Sequence, residues 1–315
     1  MFEHRRLTVG DLNRVFVLLR EGFAFEAADR ARLVAMWTEL LRSETCMTVA
    51  VDDRRRPSET RLVGFGLSVF VTDDFAARLN AGQPFLSRAF LEQWESGPCP
   101  CLTKKEIAAA NAGEGLNLLI LHYGWCKEVT LEDMMTMQHL QTERFVYEHA
   151  GYLTKEYLHE FFGPQLRDFM LASGLVLKHD YRGDAWREAL AGIAEDDWPY
   201  LAVHGTEASR PGTIASIFRS KTSRPRFGFS PGEQRLIGLA LEGRSDDELA
   251  SALDLSPWTV KKRWQRIYMK VELHEPSLFA SEDDKLRQRR RYLLAFMREH
   301  PEELRPFRPS APKGV

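Results

Sequence analysis

Residues 229–271 read FSPGEQRLIGLALEGRSDDELASALDLSPWTVKKRWQRIYMKV, a stretch that punctuates itself into three helices. Ser230-Pro231-Gly232-Glu233 offers a hydroxyl for the N-cap, a proline at the first helical position and a glutamate three residues on that can return a bond to the cap amide. Leu236, Ile237, Ala240 and Leu241 then form an apolar stripe, and Gly243 suits the left-handed residue that ends a helix. Ser245-Asp246-Asp247-Glu248 repeats the capping pattern ahead of Leu249, Ala250 and Leu253. After a turn at Asp254-Leu255, Ser256-Pro257 opens a third helix in which Val260, Trp264, Ile267 and Val271 share one face.

A short helix, a turn and a second helix of opposite character make a helix-turn-helix arrangement. The face opposite Val260, Trp264 and Ile267 displays Trp258, Lys262, Gln265 and Met269, flanked by Thr259, Lys261 and Arg266. Cations suit guanine edges and phosphates, and an amide suits adenine. The ordered set Ser230-Pro231-x-Glu233, Gly243-x-Ser245, Glu248-Leu249-Ala250, Leu253-x-Leu255-Ser256-Pro257-x-Thr259-Val260-Lys261 and Ile267-Tyr268-x-Lys270 resembles the DNA-binding domain of LuxR-type transcriptional regulators. That resemblance implies that Lys261, Lys262 and Gln265 read bases and that Thr259, Arg266 and Lys270 touch the backbone. Trp258 and Ser245 complete the expected DNA-binding set. Arg235, Arg263 and Trp264 depart from the family pattern. The partner implied is double-stranded DNA bound by a homodimer, with no enzymatic activity, no cofactor and a cytoplasmic, nucleoid-associated location.

Working outward, 315 residues favour two domains. With 44% hydrophobic and 28% charged residues the chain is neither disordered nor collagenous. Its most apolar stretch, Val63 to Val71, is far shorter than the roughly 20 residues of a membrane helix. The net charge of −2 hides a segregation, since residues 219–271 carry 11 basic and 6 acidic side chains, which suits a polyanion-binding module. The expected organisation is an α/β or α+β sensory domain at 1–204, a Gly/Ser/Pro/Arg-rich linker at 205–228, the all-α LuxR-type domain at 229–271 and a helical extension at 272–315. Ser281 to Glu299 reads as a helix stopped at Pro301.

In the first two hundred residues, Asp11 to Phe23 and Arg30 to Leu41 have helical spacing, and Met47 to Val51 and Leu62 to Val71 read as a strand pair. Leu116 to His122 is a further strand; Glu132 to His149, Lys155 to Phe162 and Gln165 to Ala172 read as helices, and Leu175 to Lys178 and Tyr200 to Val203 as late strands. The opening helices, the strand pair and the helix-Gly-strand Phe169 to Tyr181 weakly resemble the GNAT acetyltransferase superfamily. Arg61-x-x-Gly64-x-Gly66 fits that superfamily's pyrophosphate motif literally. Those glycines lie inside an apolar run, however, whereas phosphate binding needs them in a loop opening a helix. A GNAT-like acyltransferase carrying a DNA-binding tail is therefore the alternative reading, with the N-terminal domain taken first as the site of a small-molecule or protein effector. Cys99-Pro100-Cys101 lacks the usual zinc spacing, and no metal is expected. His122, His139, His149 and His159 show no motif relation to a serine or cysteine nucleophile and read as structural. Tyr147, Tyr152, Tyr157, Phe161 and Phe162 read as core residues, with a ligand pocket as the other possibility.

Overall fold

The computed structural model describes residues 1–19, 25–126, 128–172, 175–181, 188, 190–194, 198–204, 224–279 and 286–308. The chain divides into two compact units. One comprises Met1–Ile107, Glu114–His149 and Thr154–Phe218, the other Ala108–Gly113, Ala150–Leu153 and Arg219–Val315. Most of the expected linker, 205–223, lies outside the described residues, as do 20–24 at the end of the first expected helix and 280–285 at the start of the last.

The first unit is a mixed α/β fold around a seven-stranded sheet. Its strands are β1 (Phe2–Arg5), β2 (Cys46–Asp53), β3 (Leu62–Val71), β4 (Leu116–Trp125), β5 (Thr154–Phe162), β6 (Leu175–Asp180) and β7 (Pro199–His204), in the order β1-β2-β3-β4-β5-β7-β6. Every neighbouring pair is antiparallel except β4 and β5. Helices α1 (Leu12–Leu18), α2 (Arg30–Ser43), α3 (Asp73–Asn80), α4 (Leu86–Ser96), α6 (Leu131–His149) and α7 (Pro164–Ala172) belong to it, while α5 (Lys104–Ala112) is divided between the two units at Ile107. β3 is central and buried on both faces, which explains its unbroken apolar run. α6 packs on β1, β2 and β3, and Trp37 of α2 reaches the other face, where its Nε1 donates to His122 Nδ1 at 3.2 Å.

Residues 155–162 correct the helical reading, since they form the buried strand β5. Tyr157, Leu158, Phe161 and Phe162 fit a helical stripe as well as a strand. What decides between them is pairing on both edges, with β4 on one side and β7 on the other. β1 and helices α3, α4 and α5 had no expectation attached. Gly64 and Gly66 lie within β3, as their apolar surroundings required.

In the second unit, α8 (Pro231–Leu241), α9 (Asp246–Ala252), α10 (Pro257–His274) and α11 (Leu286–Glu299) enclose a core that includes Leu236, Ile237, Leu249, Val260, Trp264, Ile267 and Leu293. The hydroxyls of Ser230, Ser245 and Ser256 accept from the amides of Glu233, Glu248 and Thr259. Gly243 has φ 85°, as its place after α8 demands. The buried Glu303 carboxylate accepts from the amides of Arg226 and Phe227 at 2.7 and 3.1 Å, fixing the chain ahead of α8.

One glycine in the first unit is set by a close approach. Leu19 pairs with Gly124 in an antiparallel bridge, and a Cβ on Gly124 would stand 2.0 Å from the Leu18 carbonyl oxygen. Backbone cannot yield as a side-chain tip does. Gly124→Ala should therefore destabilise by about 3 kcal/mol or more. Gly238→Ala in α8, where a Cβ meets nothing within 4 Å, should stabilise by about 0.5–1 kcal/mol. Urea denaturation of both variants checks the pair.

Candidate active site

The parallel pairing of β4 with β5 ends at Ile120 and His159, while β4 continues to Trp125 paired with β3. Beyond that point the strands no longer share hydrogen bonds, and a cavity of about 190 Å³ opens on the sheet face covered by α6 and α7. Register partners share a face, so Met47, Ser68, Ile120 and His159 form one row across β2, β3, β4 and β5. Val49, Gly66 and Tyr123 form the next row, and Val51, Gly64 and Trp125 the one after. The two glycines leave this face of β3 without side chains. A Cβ on Gly66 would meet Val49 Cγ1 at 2.9 Å, and one on Gly64 would meet Gln141 Nε2 at 3.0 Å. Their role is close packing by β2 and α6, with Gln141 Nε2 donating to the Phe65 carbonyl at 3.3 Å. A bulge between Leu67 and Ser68 separates the glycine rows from the row that carries Ser68.

Ser68 and His149 are both about 3% exposed. Ser68 Oγ lies 2.7 Å from His149 Nε2, and His149 Nδ1 lies 2.7 Å from the Phe145 carbonyl oxygen one turn earlier in α6. A carbonyl only accepts, so Nδ1 carries the proton and Nε2 accepts from the serine hydroxyl. The Phe145 ring lies against the imidazole at 4.1 Å between centroids. The neighbouring Glu148 carboxylate is engaged elsewhere: Arg6 donates to it through Nε and Nη2 at 3.1 and 2.9 Å, and Arg144 Nη2 also donates to it.

On β5, Tyr157 Oη lies 3.0 Å from His159 Nδ1, and both side chains line the cleft. The direction of that bond follows the ring's tautomer, since a phenol oxygen both donates and accepts; the buried His159 Nε2 has no hydrogen-bond partner among the described residues. Burial lowers the His159 pKa to about 3, so the ring is neutral. Tyr123 meets it edge-on at 5.3 Å and stacks on Trp125 at 6.0 Å.

Sequence reasoning passed over this pair because Ser68 and His149 are 81 residues apart and neither sits in a local motif. His149, read as structural, is hydrogen-bonded at both ring nitrogens, and its serine partner is the feature that reading did not include. Tyr157 lines the cleft, whereas Phe161 and Phe162 are buried core residues. Among the described residues no group of three or more His, Cys, Asp or Glu side chains is placed to hold a metal ion, and no helix is long and apolar enough to cross a membrane.

The residues expected to touch DNA are distributed along α9 and α10. Trp258, Lys261, Lys262, Gln265 and Arg266 are exposed, and Lys262 Nζ lies 3.8 Å from the Trp258 ring centroid. Thr259 receives the Ser256 cap, and Ser245 closes a reciprocal box with Glu248. Lys270 Nζ donates to Glu233 at 2.7 Å and to the Gly228 carbonyl at 3.1 Å, which ties the end of α10 to the start of α8.

The first unit thus defines an α/β protein with a serine–histidine pair in an aromatic-walled cleft. No family model matches the chain, and no curated protein matches it. Similar solved structures include the C-terminal condensation domain of Ebony in complex with beta-alanyl-dopamine, at 12% identity and TM-score 0.37, covering 64% of this chain and 98% of that one. Another is FeeM, an N-acyl amino acid synthase from uncultured soil microbes, at 9% identity and TM-score 0.38, covering 70% of this chain and 99% of that one. These findings overturn the reading of the chain as a LuxR-type, DNA-binding transcription regulator without enzymatic activity. No LuxR-type model is matched, and the similar structures are a condensation domain and a synthase. The physical reason is that serine caps, short apolar stripes and a left-handed glycine specify a packed helical unit. They cap and end the helices and fill the core between them, and the specification is indifferent to what the outer face meets.

The buried histidines give the first unit a pH dependence. His122 and His159 are both held neutral down to about 3 by burial, whereas in the unfolded chain they protonate near 6.5. Because the folded pKa is the lower one, their stabilisation is complete above about 6.5 and is lost as pH falls toward about 3. Glu160 acts in the opposite sense, since burial raises its carboxyl to about 8 and its contribution is lost as pH rises through that value. Comparing variants isolates one histidine. Between about pH 6 and 4, His122→Gln should lose about 1.4 kcal/mol less stability per pH unit than the unaltered chain. Parallel urea titrations over that range give the two slopes; equal slopes would mean that His122 titrates normally.

Proposed function

We propose that the chain is an acyltransferase whose GNAT-like unit holds an acyl chain in the apolar cleft and transfers it by way of Ser68 and His149. The observation that carries this reading is the hydrogen bond from Ser68 Oγ to the unprotonated Nε2 of His149, placed among aromatic and aliphatic walls. The strand pair β2–β3 and the helix–strand segment α7–β6, on which the weak GNAT resemblance rests, support it as well.

In the proposed reaction Ser68 Oγ attacks the carbonyl carbon of an activated acyl donor while His149 Nε2 takes the hydroxyl proton. Negative charge then develops on the carbonyl oxygen, and His159, two strands away in the same row, can donate to it from Nε2 in the tautomer in which the Tyr157 hydroxyl donates to Nδ1. The proton on His149 passes to the leaving group. An incoming nucleophile, such as an amine, reverses the sequence and takes the acyl group from Ser68. The Phe145 carbonyl holds the imidazole in the required tautomer throughout, the positioning task that a carboxylate performs in serine hydrolases.

The GNAT resemblance implies a coenzyme A thioester, and the helix that follows β4 does not fit its diphosphate. Residues 126–130 contain no glycine, the first turn of α6 carries Glu132 and Asp133, and Thr130 Oγ1 already accepts from the Asp133 amide. Negative side chains at a helix start oppose a second anion there. The donor is accordingly read as an ester or thioester recognised through its acyl chain.

Incubation with an aliphatic p-nitrophenyl ester should release nitrophenol and leave an acyl adduct on Ser68, seen as an intact-mass increase and mapped by peptide digestion. Ser68→Ala should abolish the adduct, and His149→Gln should slow its formation by about 10²–10⁴-fold. Turnover at the original rate in both variants would refute the assignment.

A further inference from the structure

Away from the cleft, α4 ends at Ser96 and α5 begins at Lys104, and the connection reads Gly97-Pro98-Cys99-Pro100-Cys101-Leu102-Thr103. This segment is held beside the end of β3: Cys101 forms a bridge with Val71, the Thr72 amide donates to the Pro100 carbonyl at 3.0 Å, and the Leu102 amide donates to the Phe70 carbonyl at 2.8 Å. Prolines on both sides of Cys99 restrict its backbone. In an extended segment residues i and i+2 face the same way, and the two sulfurs lie 2.9 Å apart without a bond between them.

The two thiols differ in access. Cys99 is exposed and Cys101 buried, so an incoming oxidant reaches one sulfur and finds the other directly behind it. Their acidities differ in the same sense. The Cys101 thiol, hydrogen-bonded to Cys99, stabilises a thiolate there and lowers its pKa to about 6, while the Cys101 thiol itself is pushed up, first by that neighbour and then by burial. The thiolate is the reacting form of cysteine. Neither of the other cysteines has a sulfur neighbour among the described residues. Burial pushes Cys46 up to about 12, and Cys126 is buried with Arg56 Nη1 at 3.7 Å from its sulfur.

We propose that Cys99 and Cys101 are a dithiol site that hydroperoxides oxidise to an intramolecular disulfide, with Cys99 the attacking and Cys101 the resolving sulfur. In the first step the Cys99 thiolate attacks the terminal oxygen of the hydroperoxide. The O–O bond breaks, Cys99 becomes a sulfenic acid, and the departing alkoxide or hydroxide takes up a proton. In the second step the Cys101 sulfur attacks the Cys99 sulfur, the S–S bond forms, and the displaced hydroxide leaves as water with the proton of Cys101. Two thiols supply two electrons and the peroxide accepts them, so the balance closes without another reactant. The site is independent of the acyl-transfer reading and is tested without it.

The full-length chain is treated with one equivalent of hydrogen peroxide, quenched, denatured and alkylated. Two of the four cysteines should escape alkylation, and peptide mapping should find Cys99 and Cys101 joined, with two hydrogens lost and all four thiols restored by dithiothreitol. Cys99→Ser, on an exposed side chain, should slow thiol loss by about tenfold or more. Cys101→Ala should stop at a sulfenic acid on Cys99 that dimedone traps. Four alkylated cysteines after peroxide, a disulfide that uses Cys46 or Cys126, or an unchanged oxidation rate in Cys99→Ser would each overturn the proposal.

Discussion

The separation of β4 from β5 after Ile120 and His159 is the constraint on which the rest of the first unit depends. Here β4 runs five residues further, to Trp125, and its freed edge is met by the bridge from Leu19 to Gly124. That substitution is possible because residue 124 has no side chain to obstruct the Leu18 carbonyl. Beside it, Gly64 and Gly66 let Gln141 of α6 and Val49 of β2 pack closely on β3.

The chemistry of the cleft follows from how its two histidines are held. His149 occupies the last turn of α6, so a backbone carbonyl four residues earlier is within reach of Nδ1. A carbonyl cannot donate, and the imidazole is left with its other nitrogen as an acceptor. Glu148, the nearest carboxylate in sequence, points into a guanidinium pair with Arg6 and Arg144 and so leaves the imidazole to the backbone. His159 is held differently: a tyrosine hydroxyl engages Nδ1, and the buried Nε2 has no partner among the described residues. Each ring is engaged at Nδ1 by a partner on its own element.

Much of the local structure was legible in the sequence, because its causes are local. The β3 run from Leu62 to Val71, the three serine caps and Gly243 each act within a few residues, and each formed as the pattern required. The strand at 154–162 was misread because its apolar residues satisfy two periods at once and its pairing partners lie far off in the chain. The same distance concealed the Ser68–His149 pair. Arg61-x-x-Gly64-x-Gly66 shows the converse difficulty: a motif matched letter by letter, while its glycines answer to Val49 and Gln141. In the second unit the caps and stripes gave the helices correctly, and the inference from those helices to a regulator failed, since most of the residues that carried the resemblance cap the helices or build their core.

The chemistry of the cleft depends on the direction of one hydrogen-bond chain, in which Ser68 donates to His149 Nε2 and His149 Nδ1 donates to the Phe145 carbonyl. It is tested most directly by the ¹⁵N resonances of the His149 ring in uniformly labelled protein at neutral pH, assigned by their disappearance in His149→Gln. The expected spectrum has a protonated Nδ1 and an unprotonated, pyridine-type Nε2. A protonated Nε2 with a bare Nδ1 would leave the serine hydroxyl without a base and would contradict the central claim.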